Sequence, residues 1–120
     1  MQHDQTIDYV EFPAADIESV QRFYEGAFGW SFTSYGPEYT SFSGGTIQGG
    51  LRRADVRSTW EQGAPLVVIY ARDLEATRDT IVRVGGTVVK DIFPFPGGRR
   101  FHFTDPNGNE LAVWSDQKME

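Results

Sequence analysis

The feature that most constrains this chain is an internal repeat. Asp16 and Asp73, Glu18 and Glu75, and Gly29 and Gly86 are each 57 residues apart. In both halves an Asp precedes an apolar stripe with spacings of three and four. Ile17, Val20, Phe23, Ala27 and Phe28 form the first stripe, and Leu74, Ile81 and Val84 the second. That periodicity predicts one amphipathic helix per half. Asp16 and Asp73 are the expected N-caps, accepting from amides that have no partner inside the helix. Glu18 and Glu75 suit the positive end of each helix. Gly29 fits the left-handed position that closes a helix, and Gly85-Gly86 ends the second.

Short β-prone runs surround each helix. Residues 7–12 lead into the first, and runs at 30–35, 38–43 and 46–53 follow it. Residues 66–70 lead into the second, followed by 87–91, 99–104 and 110–114. Gly44-Gly45 suggests a two-residue hairpin turn. Asp105-Pro106-Asn107-Gly108 is a turn in which proline presets φ and Asn or Gly tolerates φ above zero. The Pro94 to Gly98 segment is expected as a loop, either a lid or a plain connection. Each half is thus β-α-β-β-β. The fold class is α+β: two tandem βαβββ modules, each a curled mixed sheet with one helix. Module one covers about residues 6–53, a polar linker 54–64, and module two 65–115, all within a single domain of residues 1–120.

Composition narrows the function. A chain of 120 residues with 39% apolar content can build one core. No apolar run is long enough to span a bilayer. The net charge of -6 and the absence of a basic cluster argue against nucleic acid and against anionic membrane surfaces as partners. There are no cysteines, which excludes disulfides, thiolate nucleophiles and cysteine-bound metal. With no visible leader either, a cytoplasmic location is expected. No Ser-His-Asp or Cys-His set is recognisable, and none of the Gly-Gly pairs has phosphate-loop spacing.

Paired βαβββ modules, the phrase Arg22-Phe-Tyr-Glu-Gly-Ala-Phe-Gly-Trp30 and the phrase Asp105-Pro-Asn-Gly-Asn109 occur together. In this the chain resembles the vicinal oxygen chelate superfamily of glyoxalase I, extradiol dioxygenases, fosfomycin-resistance enzymes and bleomycin-binding proteins. The resemblance covers about residues 6–115. It implies modules curled into half-open cups that together enclose a cavity. It also implies a homodimer in which both subunits contribute modules.

Enzymes of that superfamily chelate a divalent cation with four side chains. The resemblance places those positions at Tyr9, at Gln48 or Gly50, at Leu66 and at Ala112. Leu66 and Ala112 carry no donor atom, and hard divalent ions need oxygen or nitrogen ligands. Neither His102 nor Glu11 completes a set of three. No metal and no other cofactor is therefore expected.

Strand alternation carried through these positions gives Tyr9, Glu11, Gln48, Val68, Tyr70 and Trp114 as an expected cavity lining, and the resemblance adds His102, three residues before Asp105 where the family contacts substrate, with Arg100 on the same face. An aromatic wall with a few polar groups suits a small organic ligand. His102 and Glu11 are the candidate catalytic residues, as acid, base or unconventional ligands, because an imidazole titrates near neutrality. Each has a structural alternative. His102 would hydrogen-bond a neighbouring backbone group or Glu11, and Glu11 would pair with Arg100 or Arg52. Arg100 would sit solvated at the rim or grip a carboxylate or phosphate. Trp60 would cover a pocket mouth or meet another subunit. Three functions stay open: a metal-independent small-molecule binding protein, a glyoxalase-type lyase, isomerase or dioxygenase with an unconventional site, and a non-catalytic interaction module with a filled cavity.

Overall fold

A computed structural model describes residues 2–117. Its element order repeats as the sequence does. Module one comprises β1 (Tyr9–Ala14), α1 (Ile17–Phe28), β2 (Ser31–Ser34), β3 (Tyr39–Ser43) and β4 (Gln48–Arg53). Module two comprises β5 (Val67–Tyr70), α2 (Leu74–Arg83), β6 (Thr87–Phe95), β7 (Gly98–Thr104) and β8 (Glu110–Ser115). The caps form as expected. Asp16 accepts from the Ser19 amide at 3.4 Å and Asp73 from the Ala76 amide at 3.0 Å. Gly29 takes φ 72°, which closes α1 at little steric cost.

Each module is a four-stranded mixed sheet with its helix on one face. The orders are β1-β4-β3-β2 and β5-β8-β7-β6, and neither sheet closes on itself. The first strand of each module runs parallel to the last, and the other pairings are antiparallel. Alternation divides each sheet between two environments. Phe12, Phe42 and Leu51 from module one and Phe101, Phe103, Leu111 and Val113 from module two join Val20, Phe23, Leu74 and Ile81 of the helices in one core. The opposite faces carry the polar and aromatic residues of the expected cavity.

The Asp105-Pro-Asn-Gly-Asn turn bolts the two modules together. Asp105 accepts from the Tyr24 hydroxyl at 2.9 Å, from the amides of Asn107 and Asn109, and from the Asn109 side chain. Asn107 and Asn109 both donate to the carbonyl of Pro13 on β1. Asn107 also reaches Val56, and Asn109 accepts from the Ser58 amide, so the linker is tied to the same turn. The two sequence phrases that carry the resemblance are thus two sides of one buried polar contact. Burial is the main force raising the Asp105 carboxyl above its ordinary value, against the lowering effect of its four donors.

Two local expectations fail in length. Ser43 pairs with Gln48, so the β3–β4 connection has four residues rather than two. Residues 94–98 are the plain connection, shorter than expected: β6 continues through Phe95, Phe95 pairs with Gly98, and the segment is the end of a long hairpin. Two register shifts, between Val88 and Lys90 and between Lys90 and Phe93, bend β6 and let it exceed the expected 87–91.

Candidate ligand site

The inner faces of the two sheets present three groups of side chains. The first lies on module one. The Tyr39 hydroxyl donates to Glu11 at 2.8 Å and also meets the Tyr9 hydroxyl. Register brings them together: Tyr9 pairs with Gln48, Glu11 with Gly50, and Tyr39 with Arg52 next to it. Gly50 makes the contact feasible, since a methyl there would fall 2.0 Å from the Tyr39 hydroxyl oxygen. Burial, then the bonds to Tyr9 and Glu11, push the Tyr39 phenol well above its ordinary value. Glu11 therefore meets a phenol, not the Arg100, Arg52 or His102 partners expected from sequence. Gln48 is exposed beside Tyr9.

The second group spans the seam between β1 and β5. A cavity of about 680 Å³ is lined there by Tyr9, Leu66, Val68, Tyr70 and Trp114, with Phe12, Trp30 and Phe42 at its core side. Tyr70 meets Trp114 edge-on at 5.2 Å, and the Tyr70 hydroxyl donates to Asp116 at 2.8 Å. That hydrogen bond is the main cause of a raised Tyr70 phenol.

The third group lies on β6–β8 of module two. His102 is fully buried, and its Nδ1 sits 3.0 Å from Glu110 Oε2. A carboxylate can only accept, so Nδ1 carries the hydrogen in this contact. Trp60 of the linker lies over the imidazole at 5.0 Å and Phe93 flanks it at 5.9 Å. The Trp60 amide donates to Glu110 Oε1 at 3.4 Å, which fixes the linker to the same carboxylate. The covering role anticipated for Trp60 is thus realised over His102. A smaller cavity of about 410 Å³ opens beside these residues, lined also by Glu61, Val89 and Lys90. Arg100 is half-buried rather than solvated at a rim. Its guanidinium carbon lies 5.9 Å from the Trp60 ring, 5.4 Å from Phe93 and 5.8 Å from Phe95.

The expected lining is therefore divided. Tyr9, Val68, Tyr70 and Trp114 share one cavity, His102 opens on another, Arg100 is caged by rings, and Glu11 is bonded to Tyr39. Glu11 and His102 do not form a pair. Glu110, Tyr39 and Phe93 belong to these groups and were not selected from sequence. Glu110 was legible in principle. The Asp105 turn pairs Thr104 with Glu110 and His102 with Ala112, which makes Glu110 the diagonal neighbour of His102 on one face.

The four positions of the chelate do not fit a divalent ion. Tyr9 and Gln48 are strand neighbours and hold donors, but Leu66 and Ala112 offer only hydrocarbon. Among the described residues no group of three or more His, Cys, Asp or Glu is arranged to hold a metal. None of the described helices is long and apolar enough to cross a membrane.

Comparison with known proteins agrees with this architecture. A glyoxalase-related enzyme from Fulvimarina pelagi superposes with a TM-score of 0.77 at 17% identity, over 92% of this chain and 88% of that one. A lactoylglutathione lyase from Agrobacterium tumefaciens gives 0.73 at 16% identity, over 94% and 95%. TioX from Micromonospora sp. ML1 gives 0.72 at 14% identity, over 92% and 98%. At such identities the likeness is one of fold. No curated protein sequence matches this chain. The sequence profile of the Glyoxalase/Bleomycin resistance protein/Dioxygenase superfamily matches residues 6–113, nine-tenths of the chain, and the protein belongs to that superfamily.

Proposed function

We propose that this protein binds a small organic molecule without a metal, in the cavity at the β1–β5 seam. The observation that carries this function is a chelate position emptied of donors beside an aromatic cavity. Leu66 lines that cavity where the family's chemistry calls for a ligand atom, and Tyr9, Tyr70 and Trp114 surround it. Its volume of about 680 Å³ is that of ordinary small-molecule pockets. Rings with one polar edge favour a ligand that is itself aromatic or largely apolar, such as an antibiotic or an aromatic metabolite. The open cavity counts against a module filled by its own side chains.

The same surface supports a homodimer. Ile7, Ile47 and Val68 are exposed along the seam, and a second copy would cover them. Sedimentation equilibrium tests this, with a monomer at micromolar concentration as the contrary result.

The direct test of the function combines a thermal-shift screen of antibiotics and aromatic metabolites with elemental analysis after incubation with zinc, manganese, nickel and iron. Stabilisation by an organic compound, without metal, is the expected result, because a ligand that binds only the native state raises its stability. Stoichiometric metal retained by the pure protein overturns it. One observation favours a second function, a lyase, isomerase or dioxygenase of the glyoxalase type: a buried imidazole oriented by a carboxylate is a competent acid–base pair. That function requires turnover that His102→Ala abolishes.

A further inference from the structure

Among the described residues, two buried side-chain nitrogens lack a hydrogen-bond partner: Arg100 Nε and His102 Nε2. They are two residues apart on β7, so both side chains project from the same sheet face, about 6.7 Å apart along the strand. One indole, Trp60, lies against both. Phe93 also contacts both. An unsatisfied buried polar group is costly, more so when charged, and native proteins rarely keep one without a use. Here two occur on one face, under one ring.

Their chemistry differs. A guanidinium is always charged and only donates, so Arg100 Nε needs an acceptor. Among the described residues no carboxylate forms an ion pair with Arg100, and three aromatic rings occupy the space around it. With Nδ1–H given to Glu110, a neutral His102 holds a lone pair at Nε2 and needs a donor. Trp60 and Phe93 each lie against both groups as flat apolar walls.

We propose that β7 carries a second binding site, specific for a planar organic acid that bears a hydroxyl or amino group opposite its carboxylate. The carboxylate accepts from Arg100, the hydroxyl or amino hydrogen is donated to His102 Nε2, and the ring stacks on Trp60. Glu110 is a positioning residue that holds the imidazole in the accepting tautomer. Lys90, whose ammonium lies 4.2 Å above the Phe93 ring, adds positive charge to the cavity on which His102 opens, and Glu61 on the linker lines the same cavity with the opposite charge. Trp60 belongs to the linker and is half exposed, so the site is entered by displacing or sliding past that ring. None of Trp60, Arg100, His102 and Glu110 lines the Tyr9–Tyr70–Trp114 cavity, so this site stands whether or not that cavity binds a ligand.

The experiment is calorimetric titration of the native chain with 4-hydroxybenzoate, benzoate and 4-hydroxybenzamide. The hydroxy acid is expected to bind, with the uncharged amide and the acid lacking a hydroxyl each weaker by roughly tenfold or more, as for sites built around a specific hydrogen bond. Arg100→Met is expected to lose the preference for acid over amide, and Tyr70→Ala to leave it unchanged. Absence of binding by either acid in the millimolar range overturns the site, as does equal binding of acid and amide. Loss of acid binding in Tyr70→Ala, with Arg100→Met unaffected, would transfer the ligand to the other cavity and equally overturn it. Should Arg100→Met unfold, the acid-to-amide comparison on the native chain decides alone.

Discussion

The Tyr24 hydroxyl donates to Asp105 Oδ2 at 2.9 Å between two groups 81 residues apart, both buried. It joins the helix of module one to the last turn of module two. Tyr24→Phe removes a buried hydrogen bond to a charged acceptor and is expected to cost about 1.5–3 kcal/mol. The loss depends on pH. The Asp105 carboxyl is already raised by burial, and the Tyr24 bond pulls it down. A raised folded-state carboxyl contributes most below its unfolded value, and that contribution is lost as pH rises through the folded value. Without Tyr24 the carboxyl rises further, so Tyr24→Phe should destabilise more at about pH 7 than at about pH 4. Urea unfolding at both pH values measures this; equal losses would refute it.

Arg99 on β7 is largely buried and makes a two-pronged contact with Glu75 in the first turn of α2. The hydrogen bond from Arg99 holds the Glu75 carboxyl below its ordinary value. For a depressed carboxyl the contribution is present above the unfolded value and lost as pH falls through the folded one. Glu75 is half exposed, so solvent screens the pair and Glu75→Gln should cost only about 1 kcal/mol near neutrality. The cost should vanish in acid. Thermal melts of both proteins across the acid range check it, and a difference that persists when carboxylates are protonated would contradict it.

Gly50 leaves the space that the Tyr39 hydroxyl fills on its way to Glu11. Gly50→Ala should push the ring aside and cost about 1–3 kcal/mol, as overpacking usually does. Glu11→Gln keeps the space but removes the charge, and Glu11 is among the groups that raise the Tyr39 phenol. NMR titration of the tyrosine rings should show the Tyr39 transition moving down in Glu11→Gln. An unmoved transition would mean that Glu11 does not hold the phenol.

Tyr70 offers the seam cavity its ring and gives its hydroxyl to Asp116. Tyr70→Phe should therefore keep the affinity for a compound found by screening. Tyr70→Ala should weaken it by roughly 1–3 kcal/mol, the usual cost of truncating an aromatic anchor. Calorimetry on the three proteins distinguishes the cases. Equal binding by all three would place the compound elsewhere.

Much of the fold was legible because it rests on local chemistry. The Asp caps, the Gly29 terminus and the alternating strands follow from backbone geometry at single positions, and they fall where the repeat puts them. Connections were less legible. The Gly44-Gly45 pair looks like a short turn, yet pairing of Ser43 with Gln48 sets its length at four residues. Pro94 suggests a loop, yet it sits in a bulged edge strand, where a missing amide is tolerated.

The candidate site was legible as faces and not as partners. Alternation carried from positions that the resemblance supplied put Tyr9, Tyr70, Arg100, His102 and Trp114 on inward faces, but alternation is local and says nothing about which inward residues meet. Glu11 and His102 lie on different sheets, and each takes its hydrogen-bond partner from its own sheet: Tyr39 for one, Glu110 for the other.

By itself the sequence determined the duplicated βαβββ plan, because residue type and spacing suffice for it, while the superfamily and the donorless positions Leu66 and Ala112 were reached through the resemblance that its two phrases carry. Only the tertiary structure decided that the Asp105 turn locks onto Tyr24, that Trp60 covers His102, and that Arg100 stands among rings with no carboxylate paired to it among the described residues. Those contacts join residues distant along the chain, and strand register and linker path, not local propensity, bring them within hydrogen-bonding or van der Waals reach.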